Sequence, residues 1–356
     1  MTMWWWLPPA ALILDLIFSD PPGIPHPVRG IGLLADKLES PARRSGHPIV
    51  AGAAALCVIL AISGMVSAAL VSLPSLLGLA ASLYLAWSGL ALGCLIREGR
   101  AALQKVERAS LLFTMPQESP KMADDAEKAL SEARHAVQML VSRDTASMAP
   151  PELCRSLAES ISENCNDAFV APFFWLCLGG PVGLWLYKTA STMDSMWGYK
   201  TERWICLGKA SARLDDVLAF VPARLCSLMM FLVYRGTRIF PGLLSGYGKT
   251  RQHTGDAAYG NAASELRWPG FRALAAQVRQ AESPNAGWPM ATAAWLLGGR
   301  CGGPTPYGGI IKQKTLLGPS TGAWTVDNTK ALLRLVLCTG LATGITGIFF
   351  LYAAAS

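Results

Sequence analysis

The alternation of long apolar runs with short polar blocks predicts a chain built mainly from membrane-crossing helices. Three runs carry no charged residue and reach the roughly 20 residues that a spanning helix needs; they cover residues 50–73, 75–96 and 335–355. Pro74 separates the first two, which predicts a transmembrane hairpin. Basic residues flank this hairpin on both sides but are absent from its turn, so the positive-inside rule places both flanks in the cytoplasm.

Four further segments are predicted from periodicity and from helix breakers. Apolar residues recur at helical spacing over 121–140, which predicts an amphipathic surface helix. A second helix is expected to start after Pro150 and Pro151 and to run through Asp167. Residues 169–187 are apolar but are interrupted by Gly-Gly-Pro, which favours a re-entrant hairpin over a full crossing. Residues 217–234 are ambiguous, because Pro222 interrupts them.

The remaining chain is more irregular. Residues 235–330 are polar and rich in Gly and Pro, with a loop region expected at 246–268. The last helix contains Gly340 and Gly344 in a GxxxG pattern, a weak signal for close helix packing. The N-terminus, MTMWWW, lacks a basic region and is expected to stay as a membrane or interfacial segment.

These expectations give a five-part division: an N-terminal segment (1–49), a transmembrane hairpin (50–96), a core (97–234), a polar substrate region (235–330) and a C-terminal transmembrane helix (331–356). The predicted fold class is mainly α, a polytopic integral membrane protein with a cytoplasm-facing site built from helices, loops and re-entrant segments.

Composition narrows the function classes. The chain is 52% hydrophobic and 15% charged, and its net charge is +7. Its basic residues are dispersed, without a basic helix or an interleaved aromatic patch, so anionic lipid headgroups are expected partners and nucleic acid is not. The nine cysteines are scattered and suggest neither a zinc site nor a disulfide framework.

Acidic residues nevertheless cluster in the middle third. On one helix Glu159, Glu163 and Asp167 would fall at i, i+4 and i+8 on a single face. Hard oxygen ligands of this kind suit Mg²⁺ beside substrate phosphates, with Asn164 as a neutral hydrogen-bonding neighbour. A solvated acidic face is the alternative.

Two later blocks combine acids with bases. In YKTASTMDSMWGYK, Asp194 and Ser195 lie between Lys188 and Lys200, a mixture that suits phosphate oxygens or, alternatively, a structural ion-pair network. In SARLDDVLAFVPARL the adjacent acids are candidate metal ligands, and the two arginines are candidate partners of phosphate or carboxylate. The residues concerned are Asp215, Asp216, Arg213 and Arg224.

A fourth block, DPPGIPHPVRGIG, holds Asp20, His26 and Arg29 among rigid prolines. Nucleotide-binding signatures are absent: the GYGKT string at 246–250 lacks the first P-loop glycine, because Leu243 stands there. Residue chemistry alone therefore predicts a Mg²⁺-dependent membrane enzyme acting on phosphorylated compounds.

Taken together, the blocks resemble the CobD/CbiB family of cobalamin biosynthesis, the adenosylcobinamide-phosphate synthases. The matching strings occur in the family's order over nearly the whole chain; they are DPPGIPHPVRGIG, SRDTASM, ESISENCNDAFVAPFF, YKTASTMDSMWGYK, ARLDDVLAFVPARL, SPNAGW and GGPTPYGG. The sequence departs from the family at Ala168 (usually Gly), Ser191 (usually Asn) and Met290 (commonly acidic).

The resemblance implies a multi-pass ligase of the bacterial inner membrane that joins adenosylcobyric acid to aminopropanol or its O-phosphate, with ATP and Mg²⁺. The resemblance is also compatible with an interaction between this protein and later membrane enzymes of the corrinoid pathway. The expected catalytic residues are Asp194, His26 and Lys200. The expected ligands of ATP are Lys188, Arg213, Arg224, Asn164, Ser195 and Arg29. The expected metal ligands are Glu159, Glu163, Asp167, Asp215 and Asp216.

Two other functions remain open at this point. A membrane prenyl- or alcohol-phosphate transferase also uses acidic motifs with Mg²⁺, but it needs two separate Asp-rich motifs of its own family, which are not found. A transporter would place its charges at mid-bilayer on broken helices and would show an inverted repeat. No such repeat is evident, and the charge blocks lie outside the clean spans.

Overall fold

The computed structural model describes residues 5–21, 23–116, 118–199, 201–237 and 268–355. Within this part of the chain, five helical stretches are long and apolar enough to cross a membrane; they are Pro48–Val71, Ser75–Thr114, Pro150–Trp197, Lys209–Gly236 and Val326–Ala353. The predicted fold class, a mainly α polytopic membrane protein, is confirmed. The expected loop at 246–267 and the candidate Lys200 lie outside the described residues.

Twelve helices and one β-hairpin are present in the described part. The helices are α1 (Leu7–Phe18), α2 (Pro27–Arg44), α3 (Pro48–Val71), α4 (Ser75–Ser88), α5 (Leu92–Thr114), α6 (Pro120–Gln138), α7 (Pro150–Asn164), α8 (Ala171–Trp197), α9 (Lys209–Gly236), α10 (Phe271–Val278), α11 (Pro284–Leu297) and α12 (Val326–Ala355). The strands are β1 (Cys301–Tyr307) and β2 (Ile310–Leu317).

The chain divides into two compact units. Unit 1 comprises Met1–Cys94, Asp167–Pro222 and Thr343–Ser356, and unit 2 comprises Leu95–Asn166 and Ala223–Ala342. In unit 1, α8 packs against α2, α3 and α4, and α1 packs against α4. The indole N–H of Trp185 on α8 donates to the carbonyl of Leu85 on α4 at 2.9 Å. The Thr189 hydroxyl donates to Ser63 on α3 at 2.8 Å.

A sharp bend divides α8 into two halves at Gly180. This residue has φ 59° and ψ −158°, a backbone conformation open essentially only to glycine. A Cβ placed on Gly183 would lie only 2.9 Å from the carbonyl oxygen of Trp175. Eight residues of straight helix would span about 12 Å, so the two halves fold back on each other. The predicted Gly-Gly-Pro hairpin is confirmed, and its re-entry into a bilayer stays a prediction.

The second predicted span, over 75–96, lies within a stretch of spanning length, Ser75–Thr114, but it is interrupted. Helix α4 ends at Ser88 and α5 begins at Leu92. The break is held by tertiary contacts: the amide of Ala91 donates to the carbonyl of Ala168 at 3.0 Å. The amide of Gly93 donates to the buried carboxylate of Asp15 at 3.0 Å. The amides of Ala91 and Gly93, which the break frees, are thus satisfied by other groups of the protein.

A π-helical segment, Cys165–Val170, follows α7 directly. The expectation of one regular helix from Pro150 through Asp167 is therefore wrong in its last turn. A π-helix bonds residue i to i+5, so the 3.6-residue period that would align Glu159, Glu163 and Asp167 ends at Asn164. Segments of this type occur frequently at functional sites.

In unit 2, α7 packs against α6, α11 and β1. The predicted amphipathic helix is confirmed as α6, whose apolar face is buried. Gly99 on α5 lets Leu333 and Ile161 approach, since an added Cβ would lie 2.8 Å and 3.3 Å from their side chains. The antiparallel β-hairpin, which the sequence analysis did not predict, turns at Gly308 and Gly309, both with positive φ.

Two ambiguous signals are resolved. Helix α9 runs unbroken through Pro222, so residues 217–234 belong to a helix of spanning length. In α12, an added Cβ on Gly344 would lie 2.5 Å from the Leu12 side chain of α1, which confirms close packing at the second glycine of the GxxxG pattern.

The bend in α8 gives a direct stability test. Gly180→Ala is expected to lower the free energy of unfolding by about 1–3 kcal/mol, because alanine is strained at this φ and ψ. Gly179→Ala is the matched control: an added Cβ there meets nothing within 4 Å, so we expect a change within about 0.5 kcal/mol. Thermal unfolding of the purified proteins in detergent measures both, and equal effects of the two substitutions would contradict the hairpin.

Candidate functional site

Three segments of unit 1 bring acidic side chains together. Asp167 lies on the π-helical segment, Lys188 and Asp194 lie on the second half of α8, and Asp215 and Asp216 lie about two turns into α9. We call these five residues the acidic cluster. Tyr187, Ser191 and Asp194 are spaced i, i+4 and i+7, so they share one face of α8.

The acidic cluster is linked by short-range electrostatic contacts. Lys188 interacts with Asp167 and Asp215. Asp194 interacts with Asp216 and Asp167. The Ser191 hydroxyl lies close to the side chains of Asp215 and Tyr187. The cluster thus holds four carboxyl groups and one ammonium group among its described members, and a bound cation would reduce the repulsion among the carboxylates.

The carboxylates of the acidic cluster are candidate ligands of Mg²⁺. In the described part of the chain, no three His, Cys, Asp or Glu side chains lie close enough to hold a metal ion by themselves. Mg²⁺ commonly takes only one or two carboxylates and completes its shell with water and substrate phosphate. One oxygen of Asp215, Oδ1, is buried without a hydrogen-bond partner among the described residues. The cluster therefore fits an ion shared with a phosphate and not a closed protein cage.

The N-terminal block lies beside Lys188. A cleft of about 520 Å³ is lined by Asp20, His26, Tyr84 and Lys188, among others. His26 caps α2, because its Nδ1 accepts from the amide of Val28 at 3.2 Å. Its ring also meets Trp185 edge-on, with centroids 6.1 Å apart. Arg29 is exposed and acts electrostatically on His26.

Burial is the main cause that lowers the pKa of His26, and Lys188 and Arg29 lower it further, whereas Asp20 and a hydrogen bond to the Ser88 backbone raise it. The imidazole is therefore neutral near pH 7. Because Nδ1 accepts the Val28 amide, the proton of the neutral ring lies on Nε2. The lone pair that a general base needs is thus already engaged in capping.

Glu159 has a different environment, in unit 2. Its Oε2 lies 2.6 Å from the guanidinium of Arg143, and both side chains are buried. Its Oε1 accepts from the amide of Gly302 on β1 at 2.8 Å. Arg155 donates to the carbonyls of Gly302 and Pro304. Both carboxylate oxygens therefore already have partners, and they tie α7 to the β-hairpin.

Glu163 lines a cleft of about 610 Å³ in unit 2 with Arg143, Glu159, Ser283 and Lys314, among others. The Asn164 amide donates to the carbonyl of Ser160 at 3.0 Å, which is a contact within its own helix. The metal roles of Glu159 and Glu163 stay predictions.

The other predicted ligands are placed as follows. Arg224 donates to the side-chain oxygen of Asn285 at 3.3 Å, and its guanidinium lies 5.3 Å from the centre of the Trp288 ring. Sequence reasoning missed Asn285, Trp288 and Arg143 as site residues, although they lie in the strings SPNAGW and SRDTASM. Ser195 on α8 and Arg213 on α9 are exposed.

The buried ion pair gives the second test. Arg143→Gln is expected to cost about 3–5 kcal/mol of unfolding free energy, because Glu159 would be left buried with an uncompensated charge. Arg43→Gln removes a more exposed ion pair, with Glu39 at 3.3 Å, and we expect a loss below about 1 kcal/mol. Chemical denaturation in detergent compares them, and a loss for Arg143→Gln as small as that of the control would refute the structural role.

The third test concerns pH. The folded-state pKa of His26 lies below its unfolded value of about 6.5, so the unfolded chain binds the proton first as pH falls. Stability from this group is present above that value and is lost as pH falls below it. His26→Asn keeps a good helix cap and should show a weaker fall in melting temperature between about pH 7 and 5. Replacement of the exposed His47 by Asn is the control, and identical pH profiles for wild type and His26→Asn would contradict the assignment.

The chain was compared with known proteins. The family model described as CobD/Cbib protein matches residues 9–336. The cobalamin biosynthesis protein CobD of Pelobacter propionicus is 34% identical over 339 residues, which cover 95% of this chain and 92% of that protein. The Klebsiella pneumoniae protein of the same name is 32% identical, covering 94% and 93%. CbiB of Salmonella arizonae is 32% identical, covering 92% and 91%.

No solved structure matches the chain. The family match nevertheless covers both units and all four polar blocks that the sequence analysis singled out. The chain therefore belongs to the CobD/CbiB family of cobalamin biosynthesis proteins.

Proposed function

We propose that this protein is an ATP-dependent ligase that joins the free carboxyl group of adenosylcobyric acid to the amine of aminopropanol or of its O-phosphate. The observation that carries this proposal is the acidic cluster of unit 1, in which Lys188 interacts with Asp167 and Asp215 and the latter interacts with the other two aspartates. Family membership supports a role in cobalamin biosynthesis and hence a corrinoid substrate. Electrostatics of this kind suit phosphoryl transfer, which depends on positioning and on charge stabilisation.

The proposed reaction has two steps. A carboxylate does not condense with an amine unaided, so a carboxylate oxygen first attacks the γ-phosphorus of ATP, and ADP leaves with the bridging oxygen. The amine nitrogen of the second substrate then attacks the acyl carbon of the acyl phosphate. The carbon–oxygen bond to phosphate breaks, the nitrogen loses one proton, and the products are the amide and inorganic phosphate.

The residues of the acidic cluster suit separate tasks. Asp167 and Asp215 would hold Mg²⁺ together with the phosphates of ATP, and the bound ion would neutralise charge on the transferring phosphoryl group. Lys188 would pair with a phosphate oxygen as a point charge. Asp194 is the better candidate for the base that accepts the amine proton, since Nδ1 of His26 is engaged by the Val28 amide.

We also propose that the site faces the cytoplasm of a bacterial inner membrane. ATP is supplied on that side, and the basic residues that flank α3 and α4 favour the same orientation under the positive-inside rule. Protease accessibility of a tag placed after residue 116, between α5 and α6, would measure the orientation in inverted and right-side-out vesicles.

The decisive assay incubates the purified protein in detergent with adenosylcobyric acid, ATP, Mg²⁺ and either aminopropanol or its phosphate. Mass spectrometry is expected to detect the amide, with ADP and phosphate formed in equal amounts. Addition of hydroxylamine in place of the amine should trap the acyl phosphate as a hydroxamate. Failure to form amide with either amine, by protein that is folded and monodisperse, would overturn the proposal.

Variants of Asp194 give the fourth prediction. Asp194→Asn should lower kcat for amide formation by about 10²–10⁴-fold, because the asparagine cannot accept a proton. Hydroxamate formation should fall less, since activation of the carboxyl group precedes the proton transfer. Asp36→Asn, at an exposed position of α2, is the matched control and should retain wild-type kcat. A folded Asp194→Asn protein with full synthase activity would remove Asp194 from the mechanism.

A further inference from the structure

A basic cleft in unit 2 lies outside the acidic cluster and outside the other residues assigned to the reaction. It is an open groove of about 610 Å³ between α5 and α12, and its lining is Arg100, Leu103, Gln104, Glu107, Lys330, Leu333 and Arg334. We call these residues the basic cleft. On α5 they are spaced i, i+3, i+4 and i+7, and on α12 i, i+3 and i+4, so each helix presents one continuous stripe to the groove.

The lining of the basic cleft is more basic than acidic. It contains three cationic side chains, Arg100, Lys330 and Arg334, and one carboxylate, that of Glu107. Lys330 and Glu107 form an ion pair across the groove. An ammonium group has three donors, so this pairing leaves Lys330 able to donate to a second acceptor. The Gln104 amide adds a neutral donor.

The floor of the basic cleft is apolar and closely packed. Leu103 and Leu333 are buried, at 2% exposed each. Gly99 lets α5 approach α12 at this level, since an added Cβ would lie 2.8 Å from Leu333. The groove thus combines cationic walls with an apolar base, which is the combination that a phosphate attached to hydrocarbon requires.

The position of the groove along its two helices points to the membrane surface. On α12, Arg334 is the last charged residue before the charge-free run 335–355. On α5, the charge-free run ends at Ile96, and Arg100 lies four residues further, about 6 Å along the axis. Both helices therefore carry their cations where they leave the apolar zone, at the depth of lipid headgroups.

We propose that the basic cleft binds the phosphate of an anionic glycerophospholipid, such as phosphatidylglycerol. Arginine side chains on both helices would hold the phosphate oxygens in bidentate contacts, and the acyl chains would follow the apolar surfaces below Arg334. Such a lipid would tie α5 to α12 at the membrane surface. A soluble phosphate or nucleotide shares the anionic chemistry but lacks the acyl chains.

The fifth prediction is tested by native mass spectrometry of the whole protein in detergent, titrated with phosphatidylglycerol or with phosphatidylcholine of the same acyl chains. Wild-type protein should retain phosphatidylglycerol preferentially. The double variant Arg100→Gln with Arg334→Gln should bind it about 30-fold more weakly, from the loss of two cations at a lipid phosphate. The exposed single variant Arg100→Gln should lose about fivefold.

The matched control is the double variant Arg97→Gln with Lys105→Gln. Both residues are exposed on α5 and lie outside the cleft lining, so the change in net charge is the same. It should keep wild-type lipid binding. Equal weakening in both double variants would indicate attraction by net charge alone and would overturn the site.

Inorganic phosphate and ATP serve as competitors without any corrinoid present. Neither should displace the lipid from wild-type protein, and displacement by either would overturn the lipid assignment in favour of a soluble anion. Gel filtration and melting temperature without added lipid establish that each variant is folded. If the double variant does not fold, the single variant Arg100→Gln still tests the site. Because synthase activity is not measured, the outcome is independent of the proposed reaction.

Discussion

The structure of unit 1 is organised around carboxylates that are held together beside apolar helices, where ionised groups are expensive unless cations compensate them. Lys188 interacts with Asp167 and Asp215, and Asp215 in turn interacts with the other two aspartates of the cluster. Regular straight helices would not bring these groups together. The chain uses a π-helical segment at Cys165–Val170 and a glycine-only bend at Gly180 to do so. Irregular backbone is tolerated inside a membrane protein only where its polar groups find partners, and the Ala91–Ala168 bond supplies one.

Local signals were enough to predict much of this fold. The hydropathy runs found α3 and α12, the helical period found α6, and Gly-Gly-Pro located the bend in α8, because each depends only on neighbours in sequence. The break before Leu92 was missed because it is stabilised by Asp15, far away along the chain. The β-hairpin was missed although Gly308-Gly309 is a typical signal for a two-residue turn. Its strands carry Pro304 and Pro306, which sequence reasoning counts against a strand.

The candidate site was predicted in part. The polar blocks pointed to Asp167, Lys188, Asp194 and the acidic pair of α9, and the structure places these within electrostatic reach of one another. Helical spacing also grouped Glu159 with Asp167, which the π-helical segment does not preserve. No spacing rule could reveal that Glu159 pairs with Arg143, since the partner comes from the loop before α7. Sequence shows which side chains are able to pair, whereas tertiary packing decides which of them do.

Charged side chains in this molecule differ in whether neighbouring groups of the protein compensate their charge. Glu159 has a cation on one carboxylate oxygen and an amide on the other, so both oxygens have partners within the fold. The acidic cluster contains four carboxyl groups and one ammonium group, and the lining of the basic cleft contains three cationic side chains and one carboxylate. Like charges held together near hydrocarbon raise the free energy of the protein, and a bound ion of opposite charge lowers it. The same electrostatic cost therefore favours a cation with phosphate at the acidic cluster and a lipid phosphate at the basic cleft.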